Sequence, residues 1–429
     1  MAVAVPRSSL RGFLAHARGA LCEAMDSSQK ITFVIGNESA DLDSMSCSIV
    51  YAYIRSMSPP KKAFSSVYVP ITNLAAADIQ LRPEYLAVFK HANMESKHLI
   101  TLDDLPALSE MQSRLAPENT KWILVDHNAL QGQLGSMYGT RVEGVIDHHD
   151  DEGKVPAETG DEPRIIDKCG SCTSLVVNYC RSAWDALSAS AMSSGAAHAQ
   201  GDSLSDDAAS VQRWDADVAQ LGLASILIDT ANLEDASKTT EHDREAVAYL
   251  EAKIMLCRQL AGSFDRRGFY GEINAAKKDI GSLALQDILR KDYKQWDQGQ
   301  KLGVSSVVLP IEFLQKKAGD GSDTSLGSGL LAAIKGFAEE RGLDLFSLMT
   351  TSTSAEGQLR RELLLWALNK EAVPAAQRFA KNSRDELGLE AWAGYEDVDN
   401  GSEWRRVWWQ GNVQHSRKRV APLLREAMA

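Results

Sequence analysis

The stretch Ile31-Thr32-Phe33-Val34-Ile35-Gly36-Asn37-Glu38-Ser39-Ala40-Asp41-Leu42-Asp43-Ser44 sets the reading of the whole chain. Its first residues are apolar, mostly β-branched or aromatic, in a run of strand length. Two aspartates, two apart, follow on a loop that opens a helical stretch over 45–55, so Asp43 and Ser44 would sit at that helix's positive end. The same form, an apolar run closed by metal-competent side chains, returns three times. It is seen in Val125-Asp126-His127-Asn128, in Ile146-Asp147-His148-His149-Asp150, and in Leu227-Ile228-Asp229-Thr230 with Lys238-Thr239-Thr240 and Asp243 beyond it. Taken alone, each has an ordinary explanation: a loop or helix cap for the first, a hydrogen-bonded structural histidine for the third, an N-cap for Asp229-Thr230. Recurrence after four apolar runs points instead to one shared site. Carboxylates mixed with imidazoles suit Mg²⁺ or Mn²⁺ rather than structural zinc.

Outward from these segments, strands are expected at 31–35, 67–70, 98–101, 122–125 and 144–146, with helical stretches between them. This is an α/β pattern: an N-terminal, mostly parallel sheet flanked by helices, with its acids at the carboxyl ends of strands, where such folds collect ligands. Residues 185–212, rich in Ala, Ser, Gly and Asp, read as a low-complexity surface insertion, partly helical or disordered. Apolar periodicity resumes over 214–228, and 240–264 reads as a long amphipathic helix. A polar, glycine-bearing stretch, 266–280, reads as a linker. Strands at 304–309, 343–349 and 362–368 then build a smaller α/β domain. The expected organisation is therefore 1–265, 266–280 and 281–429.

A chain of 429 residues has room for two domains, and 44% hydrophobic with 24% charged residues is a soluble, globular composition. No apolar run approaches membrane-spanning length. Six cysteines form no disulfide framework and read as reduced thiols of a cytoplasmic protein. A net charge of −12 argues against nucleic-acid or membrane partners, which want a broad basic field. The last thirty residues run the other way, with six Arg/Lys against two acids. Arg7, Arg11 and Arg18 near the start fit either a transit peptide, which would send a minor fraction to mitochondria, or an amphipathic helix over 12–20; the helix is the reading taken. Lys168-Cys169-Gly170-Ser171-Cys172-Thr173-Ser174 opens a helix with glycine and hydroxyls, so Ser171 is a candidate phosphate contact. Its CxxC has no second pair for zinc and no thioredoxin-like setting, and reads as incidental.

The four acidic segments resemble those of the DHH phosphoesterase superfamily, named for the Asp-His-His found here at 147–149. The second half resembles the domain that follows in family II inorganic pyrophosphatases and fungal cytosolic exopolyphosphatases. Asp287-Ile288-Leu289-Arg290-Lys291-Asp292-Tyr293-Lys294, the run 303–308 and Ser416-Arg417-Lys418-Arg419-Val420-Ala421-Pro422 carry that likeness. It implies two divalent cations: one held by Asp41 and Asp126, the other by Asp43, Asp126, His148 and Asp229, with Asp126 shared. A water activated between them would attack the terminal phosphorus. The resemblance turns His149 toward substrate, beside Asp126 in the catalytic pair. It makes Arg417, Lys418 and Lys294, with Arg361 as a weaker candidate, the phosphate clamp of a cleft between the domains. Pyrophosphatases of the family carry a metal-binding histidine where this chain has Asn37. An amide oxygen there is a weaker ligand, and the departure points to the exopolyphosphatase branch. The implied activity is release of terminal phosphate from inorganic polyphosphate by a monomer. The alternatives are a pyrophosphatase, a prune-like nucleotide phosphodiesterase, and a non-catalytic metal-binding regulator.

Overall fold

The run 31–35 forms strand β1 (Ile31–Ile35), buried along its whole length. In the computed structural model, which describes residues 4–197, 203–281, 283–297, 299–320, 326–354, 356–392 and 397–429, the chain divides into two units, 1–277 and 278–429. In the first unit, β1 is joined by β2 (Tyr68–Ile71), β3 (Thr120–Val125), β4 (Val142–Asp147) and β5 (Arg164–Ile166). All pairings are parallel, in the order β2-β1-β3-β4-β5. Parallel strands need helical crossovers that cover both faces, which is why these strands read as unbroken apolar runs. The order reverses between β1 and β3, and a crevice opens at the carboxyl ends of strands flanking such a switch. Asn37–Asp43 follow β1, Asp126 follows β3, and the Asp-His-His segment closes β4. Topology alone therefore gathers three of the four acidic segments.

The helix after β1, Leu42–Met57, is buried at all but one of its residues, being packed against strands and helices on every side. Gly36 lets it approach: a Cβ there would lie 2.5 Å from Cβ of Ser44 and 3.0 Å from its Cα. Further helices are Cys172–Ala197, Ser203–Asp229 and Glu241–Leu256. The first two run into the 185–212 stretch from either side; the rest of that expected insertion, 198–202, lies outside the described residues. The helix expected over 240–264 stops at Leu256.

Two expectations differ from what the fold contains. Residues 98–101 are not a strand; a short 3-10 turn covers Ser96–His98, and only Thr101 bridges, to Thr72. Local bonds win there, because Thr101 starts a capping box in which Asp104 takes the Thr101 amide at 2.8 Å. Residues 266–280 are mostly a helix, Arg266–Lys278, with Phe269 and Ile273 buried at i, i+4 and the polar residues outward. Polar composition there marks an exposed helix face, and the two units divide within the stretch, between 277 and 278.

The arginine-rich start is built into the fold. Its helix is Leu10–Ser27, longer than the expected 12–20, and Ser9 caps it. Arg18 bonds Asp104 and the carbonyls of Lys97 and Leu99. Arg7 pairs with buried Asp215, whose carboxylate also accepts from Trp184 Nε1 and Ser188 Oγ.

The second unit holds a mixed, seven-stranded sheet. Its strands are β6 (Tyr293–Asp297), β7 (Lys301–Val307), β8 (Leu345–Thr353), β9 (Leu359–Ala367), β10 (Leu389–Ala391), β11 (Val398–Asp399) and β12 (Trp404–Gln410). Among the described residues, only β7 and β8 of this sheet pair in parallel. Each face carries a core: Leu363, Leu365 and Ala367 of β9 point into one, Leu364 and Trp366 into the other. Among the described residues, no helix is long and apolar enough to cross a membrane.

Removing the Arg7 side chain would leave Asp215 buried without its cation. Arg7→Ala is expected to cost about 3 kcal/mol, the scale of an unpaired buried charge, in urea unfolding followed by circular dichroism. A change within error would show that the pair contributes nothing.

Candidate metal centre

Asp126 sits just past β3 in the left-handed region, φ +60°, a strained conformation for a residue with a Cβ. Its amide still bonds Ile146 O at 3.0 Å, so the backbone stays tied to β4 while the carboxylate turns into the crevice. Its Oδ2 accepts from Asn37 Nδ2 and from Ser44 Oγ, both at 2.7 Å. Its Oδ1 lies 3.2 Å from His148 Nε2 and 3.9 Å from His149 Nδ1. Asp126, His148 and His149 offer ligand atoms that all lie within 4.8 Å of one another.

Asp43 is bonded through both of its carboxylate oxygens. Its Oδ1 accepts from Ser171 Oγ (2.7 Å), Thr173 Oγ1 (2.7 Å), Thr173 N (2.9 Å) and Ser225 Oγ (2.9 Å). Its Oδ2 takes Cys172 N at 2.7 Å and faces His148 Nε2 at 4.0 Å. Oδ2, with a single amide bond against four on Oδ1, is the oxygen that faces the side where His148 and Asp126 meet. Burial works to raise its pKa, but the His148 charge and the Thr173 and Ser171 bonds outweigh it and hold the group below the usual range. Asp126 goes the other way. Burial first, then the charges of Asp43 and Asp41, push it up to about 6.

Asp41 caps the Leu42–Met57 helix, accepting Ser44 N at 3.0 Å. Asp229 ends the helix that carries Ser225 one turn earlier, on the same face. The backbone beyond it, Ala231–Leu233, is left-handed at three successive residues.

Several roles were not visible in the sequence. Asn37, expected as a ligand, uses its amide as a donor to Asp126, while its Oδ1 accepts Ser39 N at 2.8 Å; the partners fix which end is oxygen. Ser171, expected to touch phosphate, is fully buried and bonded to Asp43. The cradle it belongs to is filled by the protein's own carboxylates: Asp43 takes the amides of Cys172 and Thr173, and Asp243 those of Gly170 and Ser171. Asp147 is fully buried and accepts from Asn128 Nδ2 (2.6 Å) and His148 N (2.8 Å), with His149 Nδ1 at 2.7 Å. Burial acts to raise Asp147, yet the bonds and charge of His149 hold it low. An Asp two residues before a His was the available signal for this pair. Asn128 and Ser225 carried none.

The second unit gathers its basic candidates at one end of its sheet. Lys294 lies near the start of β6 and Arg361 near the start of β9, facing Thr351 across the ladder. Arg361 is half-buried, donating to Val413 O (2.6 Å) and Thr351 Oγ1 (2.7 Å), and burial lowers its pKa. Arg417 reaches the Asp292 carbonyl at 3.0 Å and its carboxylate at 2.8 Å, and Lys418 follows it on the last helix, Arg417–Met428.

Residues 31–202 match the DHH family, N-terminal domain, and residues 271–427 match the DHHA2 domain. A Schizosaccharomyces pombe protein named "Putative exopolyphosphatase" is 31% identical over 98% of this chain and 96% of its own length. The chain belongs to the DHH family. Among its relatives, a Rattus norvegicus protein named "Exopolyphosphatase PRUNE1" is 25% identical over 95% of this chain and 77% of its own. A Methanocaldococcus jannaschii protein named "Manganese-dependent inorganic pyrophosphatase" is 23% identical over 76% and 84%. The crystal structure titled "Methanococcus jannaschii putative family II inorganic pyrophosphatase" shares the fold, with a TM-score of 0.53 at 18% identity over 93% of this chain and 99% of that one.

The donors of this DHH-family site fit hard divalent cations: carboxylate oxygens beside two imidazoles, with Asp126 buried next to two further carboxylates. The fold favours protonated Asp126, since its pKa is raised from 3.8 to about 6. Without metal, that preference costs stability as pH rises through this interval, and cation binding weakens as pH falls through about 6. Asp126→Asn is thus expected to raise the melting temperature of the EDTA-treated protein at neutral pH while abolishing Mn²⁺ uptake. Calorimetry and Mn²⁺ spin resonance check the two halves; a lowered melting temperature would contradict the charge argument.

Proposed function

We propose that this chain hydrolyses the terminal phosphoanhydride bond of inorganic polyphosphate. The reading rests on the convergence of Asp126 Oδ1, Asp43 Oδ2 and His148 Nε2 on one point at the strand-order switch. Asp41, Asp43, Asp126, His148 and Asp229 would hold two divalent cations, Mg²⁺ or Mn²⁺. Bound there, the cations supply Lewis acidity and acidify water.

The chain's own residues do the rest. Asn37 and Ser44 donate to one oxygen of Asp126 and fix the carboxylate's plane. Asp147 holds His149 at Nδ1, leaving Nε2 to hand a proton or a hydrogen bond to a phosphate oxygen as charge develops. Lys294, Arg361, Arg417 and Lys418 are assigned to the phosphates of the chain, arginine as a fork and lysine as a mobile charge. Relatives that match along nearly the whole chain carry the name exopolyphosphatase, and the pyrophosphatase relative matches a smaller share. Six free cysteines, four of them buried, suit a reducing compartment such as the cytoplasm.

Phosphate release from long-chain polyphosphate and from pyrophosphate, with Mg²⁺ or Mn²⁺, tests the reading. Polyphosphate is expected to be the faster substrate, with Asp126→Ala losing roughly a hundredfold or more. Arg417→Ala is expected to raise KM about tenfold, the scale of one charge-assisted bond. Faster turnover of pyrophosphate would reassign the substrate, and unchanged activity in Asp126→Ala would remove the site.

A further inference from the structure

His148 presents Nε2 to Asp126 and Asp43. A ring nitrogen that coordinates a cation must be unprotonated, so the ring proton belongs on Nδ1. Metal-binding histidines usually give that proton to a carboxylate or carbonyl, which fixes the tautomer and the ring's orientation. Here Nδ1 lies 3.7 Å from Sγ of Cys169. The thiol's own proton is directed to the carbonyl of Ser171, 3.0 Å away, so the sulfur turns lone pairs toward the imidazole.

The geometry points to Cys169 as a positioning residue for the cation held by His148 and Asp43. This rests on the reading of His148 as a metal ligand and extends it to a residue that the CxxC motif had made look incidental. The strap that carries Cys169 meets both ligands. Ser171, Cys172 and Thr173 bond Asp43, while Cys169 meets the His148 ring and Lys168 reaches Asp150 at 2.7 Å. The strap has little freedom, because a Cβ on Gly170 would lie 2.6 Å from Thr230 Cγ2 and 3.1 Å from Lys238 O. A shift at residue 169 is therefore passed to the imidazole and to the turn that holds the carboxylate. A thiol is also a weaker acceptor than a carboxylate, so His148 stays a less basic ligand than an Asp-supported one.

Cobalt(II) titration followed by visible absorption tests this on the full chain, in a Cys22→Ser background that removes the exposed thiol. Cys169→Ser keeps an acceptor for Nδ1–H, whereas Cys169→Val fills similar space without one. One of two Co²⁺ ions is expected to bind about 10–100-fold more weakly to the valine variant, with an altered ligand-field spectrum, and nearly normally to the serine variant. At saturating metal, KM for polyphosphate should be unchanged in both. Parent-like affinity and spectrum in Cys169→Val would overturn the inference, as would equal weakening in serine and valine, which would mean packing alone. A strong sulfur-to-cobalt charge-transfer band in the parent would overturn it by making Cys169 a ligand. Failure of the parent itself to take up Co²⁺ would instead bring down the metal reading, and this inference with it.

Discussion

Asp126 is buried beside Asp43 and Asp41, with two donors on one carboxylate oxygen and two imidazoles about the other. Packing like charges at low dielectric is costly, and folding gains nothing from it unless a cation arrives. The other buried acids show how the fold handles a carboxylate it means to keep charged. Asp43 is surrounded by hydroxyls and helix amides, and Asp147 by a histidine and an asparagine; both are held low. Asp126 alone of the three is left high. The demand for positive charge is thereby localised at one carboxylate, at the place where the strand order reverses.

Asp43 also ties distant parts of the chain together. It sits in the first turn of Leu42–Met57, takes amides from the first turn of Cys172–Ala197, and accepts Ser225 from Ser203–Asp229. Three helices thus meet at one side chain, and a candidate cation ligand is fixed by the same contacts that align the helices. The second unit does something comparable with adjacent residues of β9. Glu362 is buried and satisfied by Ile311 N, Thr350 Oγ1 and Trp392 Nε1, while Arg361 beside it donates to a carbonyl and a hydroxyl.

The strands of the first sheet that lie in its interior were legible because burial on both faces writes itself as an apolar run. The edge strand β5, three residues long, left no such trace, and 98–101 looked like a strand because Leu99 and Ile100 are apolar and buried, although Thr101 caps the turn that follows. Asp41, Asp43, Asp126 and His148 could be singled out because chemistry-bearing side chains closed each run. Their supporting residues could not. Ser225 and Asn128 act through contacts made across 182 and 19 positions, and no local spacing records such pairs. Asn37 was visible as a residue but not as a donor, since an amide's orientation is decided by its neighbours. The bond from Ser171 to Asp43 was hidden for the same reason: a helix start rich in glycine and hydroxyls attracts an anion, and the sequence does not say that a carboxylate of the protein already lies there.

That occupied cradle bears on how a phosphate-releasing catalyst clears its product. A helix start whose amides are held by Asp43 and Asp243 cannot also lodge an orthophosphate ion. The first unit has thus closed off a resting place that its backbone would otherwise offer to spent product. Within the first unit, orthophosphate or sulfate in the surrounding medium would have to compete at the cations themselves rather than at this helix start.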